Sequence, residues 1–92
     1  MLQDTLRMVR SDAVVSRSLR DETLLMDMRS EQYLSLDPVA SRVWSLLDGT
    51  RSLAEVVGVM ADEYDAPAAQ IRGDVDALLE QLLELGLVGH AA

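Results

Sequence analysis

Ninety-two residues make one domain, with room for a single modest core. Sixteen acids face eight bases, all eight of them arginine, for a net charge of −8, and this excess disfavours general binding to phosphate backbones. The chain has no cysteine, which removes disulfides, thiolate chemistry and Cys-based zinc, and no apolar run approaches the ~20 residues of a membrane span. Nothing at the N-terminus reads as a signal peptide, and a cytoplasmic location is expected.

In chain order, residues 1–12 show no clear period and are expected to be loose. Domain structure is expected over residues 13–88, with 89–92 as a tail. Ala13–Ser18 is rich in strand-forming residues, and Arg20-Asp21-Glu22 reads as a turn. Thr23–Met28 follows, with Leu24, Met26 and Met28 alternating on one face. After a second turn at Arg29-Ser30-Glu31, Gln32–Leu36 forms a third strand, Leu34 and Leu36 on one side and Tyr33 and Ser35 on the other. Two short turns between three strands imply an antiparallel meander.

Asp37-Pro38 opens a helix, Asp37 as its cap and Pro38 at the first position, where a missing N–H costs nothing. Val39, Val43, Leu46 and Leu47 share one side, and Asp48-Gly49 ends the helix. Ser52-Leu53-Ala54-Glu55 is a capping box, followed by the stripe Leu53, Val56, Val57, Met60 and Tyr64. Asp65-Ala66-Pro67 breaks this helix, and a third runs from about Pro67 to Leu85 with Gly86 as its stop. Leu87 and Val88 are expected to fold back onto the core. Trp44 and Tyr64 are expected as core aromatics.

At about 100° per residue, Ile71, Val75, Leu78, Leu82 and Leu85 of the third helix fall within roughly 40° of one line and are expected as its core stripe. Leu79 and Leu83 lie at about 80° and 120°, beside Arg72 and Asp76. The spacing leaves two readings open. Leu79 and Leu83 complete a wide buried face, or they line a groove edged by charges.

No catalytic constellation is present. His90 is the only histidine, the glycines are isolated, and the acidic groups Asp62-Glu63-Asp65 and Asp74/Asp76 read as solvated surface or helix-start charge. No metal ligand set and no cofactor are expected, and the chain is expected not to be an enzyme.

The blocks LLMDMRSEQYLSLD, PVASRVWSLLDG, TRSLAEVVGVMADEYDA and GDVDALLEQLLELGLV, in this order, resemble the PqqD-like family of RiPP recognition elements. The resemblance covers about Val14 to Val88, and MDMRSEQYLSLDPVASRVW looks most like the stand-alone proteins of lasso-peptide biosynthesis. PqqD itself usually has a Pro-Glu-Gly type turn and a cysteine near the position of Leu47; this chain has Arg29-Ser30-Glu31 and none. Typical lasso-type members often carry Gly in that turn and Asn before the proline, where Ser30-Glu31 and Asp37 stand. The resemblance implies an α+β, winged-helix-like fold, a three-stranded antiparallel sheet followed by three helices. It also implies binding of the leader segment of a ribosomally made precursor peptide. That leader would be presented to a separate cysteine-type leader protease and an ATP-dependent cyclase.

The residues support this independently. A meander leaves an unpaired strand edge to which an extended peptide can add. The expected peptide-binding residues are Gln32, Tyr33, Leu34, Ser35 and Leu36 on the strand. On the helix they are Ile71, Val75, Leu79 and Leu83, with Arg72 and Asp76 clamping charged side chains of the peptide. The alternatives are a docking subunit for another peptide-modifying enzyme and a winged-helix DNA-binding protein. The exposed faces of helices two and three carry Glu55, Asp62, Glu63, Asp76, Glu80 and Glu84, which would repel DNA.

Overall fold

The computed structural model describes residues 2–91. Its elements in chain order are β1 (Arg7–Arg10), β2 (Val14–Leu19), β3 (Glu22–Asp27), β4 (Gln32–Leu36), α1 (Pro38–Leu46), β5 (Asp48–Ser52), α2 (Leu53–Tyr64), α3 (Ala68–Glu84) and β6 (Val88–His90). Antiparallel pairing makes two three-stranded sheets, a wing ordered β2-β3-β4 and a second sheet ordered β5-β1-β6. The class is α+β, with a three-stranded meander ahead of three helices, as the sequence implies. The second sheet is additional.

That second sheet corrects the expectation of a loose N-terminus and a tail. Arg7–Arg10 is its central strand, with Met8 buried, and Gly89 and His90 belong to its edge strand. The preceding residues are tied down as well, because the N–H groups of Leu53 and Ala54 donate to Leu6 O (2.7 Å) and Asp4 O (3.1 Å). A four-residue strand with arginine at both ends offers too little alternation to be seen as a pattern. It exists because β5 and β6 satisfy its backbone on both sides. The expectations for Met1 and Ala92 lie outside the described residues.

The helices form where their caps place them. The Asp37 carboxylate accepts from the Ala40 N–H at 2.8 Å. Ser52 and Glu55 close the reciprocal capping box at 3.2 and 2.9 Å. The core joins Leu25 and Leu36 of the wing to Val43, Trp44 and Leu46 of α1, Leu53, Val56 and Met60 of α2, and Val75, Leu79 and Leu82 of α3. Three expected core residues lie elsewhere. Tyr64, at the last position of α2, Val39, in the first turn of α1, and Leu85, just past α3, are exposed.

In the wing, Thr23, Leu25 and Asp27 face inward. Leu24, Met26 and Met28, which alternate in the sequence, therefore share the outer face with Val15 and Tyr33. The inward face of β3 carries a single leucine between two polar residues and the outer face is the more apolar, so alternation alone could not say which one faces the core.

Candidate peptide-binding site

The site begins with the free edge of β4. The Met28 N–H donates to Ala13 O (2.9 Å), so the residue one step inside, Asp27, turns its backbone groups towards β4. By strict alternation, Leu25 and Thr23 do the same. Their register partners Gln32, Leu34 and Leu36 spend their backbone groups on β3. The N–H and C=O groups of Tyr33 and Ser35 are left facing the open edge. Their side chains point away from the core, and Tyr33 is 65% exposed, whereas Leu36 is buried.

Glu84 and Leu85 line one cavity with Gln32, Tyr33 and Leu34, and Ile71, Val75 and Leu78 line another with Asp37, so α3 runs opposite to β4 across a trough. The trough holds two cavities. One of about 340 Å³ lies between α1 and α3, over Val39, Ala40, Val43, Ile71, Val75 and Leu78, with Asp37 and Asp74 at its margin. The other, of about 320 Å³, lies between the wing and the end of α3, lined by Leu25, Asp27, Ser30, Gln32, Tyr33, Leu34, Glu84, Leu85 and Leu87. The sequence-predicted residues Gln32, Tyr33, Leu34, Ile71 and Val75 thus line the trough, and Ser35 and Leu36 complete the strand beside it.

Six predicted residues line neither cavity: Ser35 and Leu36 on the strand, and four on the helix. Leu79 is 0% exposed and sits in the centre of the core. Leu83 is partly buried and packs on the core, lining neither cavity. Arg72 and Asp76 are bound to each other at 3.0 Å, and Arg72 also holds the Asp4 carboxylate and Leu2 O. These two charges hold the N-terminal segment and are not free to clamp a ligand. The helical wheel gave the width of the apolar arc but not its rotation against the rest of the molecule. The N-terminal segment and the Arg72–Asp76 pair cover the Leu79/Leu83 flank. The surplus apolar surface is therefore on the opposite flank, at Leu78 and at Leu85, which is 44% exposed.

A further residue, read from the sequence only as part of a turn, fixes the far end of the trough. The Arg29 guanidinium donates to both oxygens of the buried Asp27 carboxylate at 3.0 and 3.2 Å, and its backbone N–H donates to the same group at 2.9 Å. The same guanidinium donates to Gly86 O at 2.7 Å. Gly86 takes φ 73° just beyond α3, where glycine adopts a left-handed conformation at no steric cost. Arg29 thereby straps the β3–β4 turn to the end of α3. Its side-chain bonds, then its amide, hold Asp27 below the usual carboxylate range. An acid and an arginine two residues apart at a strand end give no pattern by which this strap could be read.

The family of coenzyme PQQ synthesis protein D (PqqD) matches residues 22–88. The chain belongs to the PqqD family. Among its relatives, the "PqqA binding protein" of Xanthomonas euvesicatoria pv. vesicatoria (strain 85-10) is 43% identical over 63 residues, 68% of this chain and 66% of the relative. That of Rhodopseudomonas palustris (strain HaA2) is 36% identical over 61 residues, 66% of this chain and 60% of the relative. The match thus spans just under two thirds of the length of these relatives. Among solved structures, TbiB1 in complex with the TbiA(beta) leader peptide superposes with a TM-score of 0.81 at 34% identity, covering 87% of this chain and 93% of TbiB1. A lasso peptide synthetase B1 complexed with the leader peptide gives the same TM-score at 23% identity, over 90% and 98% of the two chains, and shares the fold.

The span that matches the PqqD family contains the β4 edge, both cavities and Arg29, and omits β1 and β2. Among the described residues of this PqqD-family chain, no cluster of three or more His, Cys, Asp or Glu could hold a metal ion, and no helix is long and apolar enough to cross a membrane.

Proposed function

We propose that this PqqD-family chain binds the leader segment of a ribosomally synthesised precursor peptide as a fourth strand of the wing, along β4. The observation that carries the reading is the open Tyr33/Ser35 edge set against a trough with two cavities, one floored by hydrocarbon and one of mixed lining. Main-chain bonds along an edge supply affinity without regard to sequence, at about 0.5–1.5 kcal/mol net each. Selectivity must come from side chains that enter the cavities. The lining residues of the two cavities are centred about ten positions apart on α3, or roughly 15 Å. An extended peptide covers that distance in about four to five residues, and a spacing of four puts both side chains on the same face. The relatives named PqqA binding protein and the leader complex of TbiB1 support a peptide ligand.

In this proposal the chain carries no chemistry of its own. It holds a leader of the lasso-peptide type in the cytoplasm for separate enzymes, a cysteine-type leader protease and an ATP-dependent cyclase, and has no nucleic-acid or membrane partner. A second reading, a docking subunit for another peptide-modifying enzyme, draws on the outer face of the wing, where Val15, Met26 and Tyr33 form an apolar cross-strand row.

The experiment is an amide-resolved NMR titration with two probes, the TbiA(beta) leader peptide and the leader of the precursor encoded nearest this chain's gene. Binding should shift Tyr33, Ser35, Leu78 and Leu85. Shifts confined to α2, or to the outer face of the wing, would sink the proposed edge site.

A further inference from the structure

We propose that the cavity between α1 and α3 is a subsite for a lysine or arginine side chain of the bound peptide. The subsite rests on the leader-binding reading and names the chemistry that one of the two cavities selects. Its floor is hydrocarbon, from Val39, Val43, Ile71, Val75 and Leu78. Its margin carries two carboxylates, Asp37 and Asp74, both exposed, and no cation among the described residues lines it.

Carbon below and negative charge above match a long cationic side chain. Its methylenes lie on the apolar floor while the charged head stays at the wet rim. A wholly apolar side chain would cover the floor but leave both carboxylates at the rim without a partner. An acidic one would meet two like charges. The positive end of α1 works against this selection, but it amounts to about half a unit charge against two full ones. One Asp37 oxygen is also used by the Ala40 N–H, which leaves the second oxygen for a ligand.

The arginines of these two helices do not supply the missing cation. Arg42 is bound to Glu63, and Arg72 to Asp4 and Asp76. The second cavity is differently balanced, because Arg29 already occupies the Asp27 carboxylate and only Glu84 remains. Charge discrimination therefore belongs to the first cavity.

The test is a selection of random dodecapeptides by mRNA display against the full chain, keeping binders that shift the Tyr33 and Ser35 amides. The expected result is enrichment of lysine or arginine at one fixed position. Replacing that residue by norleucine, which keeps the stem and removes the charge, should weaken binding about tenfold. The loss should be much smaller against an Asp37→Asn/Asp74→Asn variant, which stays folded because asparagine caps a helix as well as aspartate does. Peptides that bind at β4 with no cationic preference, or equally well with norleucine, would overturn the subsite and leave leader binding standing. If no selected peptide reaches the β4 edge, the leader-binding reading falls and the subsite with it.

Discussion

Arg29 joins three backbone or carboxylate acceptors that belong to two different walls of the trough. Its side chain is more than half exposed, so the pair adds little to stability, as surface ion pairs generally do. Its effect is on geometry. Replacing Arg29 by Gln should leave the unfolding midpoint nearly unchanged, shift the Gly86 and Leu87 amides, and weaken leader binding about fivefold, since a misplaced wall forfeits packing contacts along the cavity. Unchanged affinity with shifted amides would show that the strap does not set the trough. The depressed carboxylates make a second prediction. The Thr50 hydroxyl and amide hold Asp48 at about 2, against an ordinary 3.8, and Arg29 lowers Asp27. A lowered folded-state value means the charged form is the one stabilised. That contribution is complete above the unfolded value and is lost as pH falls through the folded one. Denaturant midpoints should therefore drop as pH falls from 3.8 towards 2, and Asp48→Asn should flatten part of that slope.

At the scale of elements, β4 and α3 show how far a sequence can be read. The strand, its alternation and the caps of α1 and α2 were legible because each depends on residues a few positions apart. The rotation of α3 was not, because it is decided by how Ile71, Val75, Leu79 and Leu82 pack against the wing, α1 and α2, which lie far away in the chain. Two substitutions separate core from trough. Leu79→Ala should cost about 2.7–5 kcal/mol of stability, as for other fully buried leucines. Leu85→Ala should cost less than about 0.5 kcal/mol and instead lower leader affinity, as calorimetric titration beside thermal melts would show. On β4, Ser35→Pro removes an N–H that faces the open edge and not β3, so the wing should survive while leader binding falls about tenfold or more. A folded Ser35→Pro variant with normal affinity would place the peptide elsewhere.

For the whole molecule, the hidden part of the fold was the second sheet, built from segments near both ends of the chain and from the link between α1 and α2. Met8 is its buried anchor, 2% exposed. Met8→Ala should lower the melting temperature by roughly 10 °C or more, from the usual cost of emptying a methionine site in a domain of this size. Removing residues 2–10 should abolish cooperative melting by circular dichroism. A truncated chain that still melted sharply would show the wing and helices to be self-sufficient.

The position of β1 also bears on how the protein is made. During synthesis Arg7–Arg10 emerges well before both of its partners, Asp48–Ser52 and Val88–His90. Both flanks of this strand stay unpaired while the ribosome builds everything between. A bare strand in that state is a template for a neighbouring nascent chain. The arginines at its two ends act as gatekeepers during the wait. The charges that obscure the strand in the sequence protect it until its partners arrive.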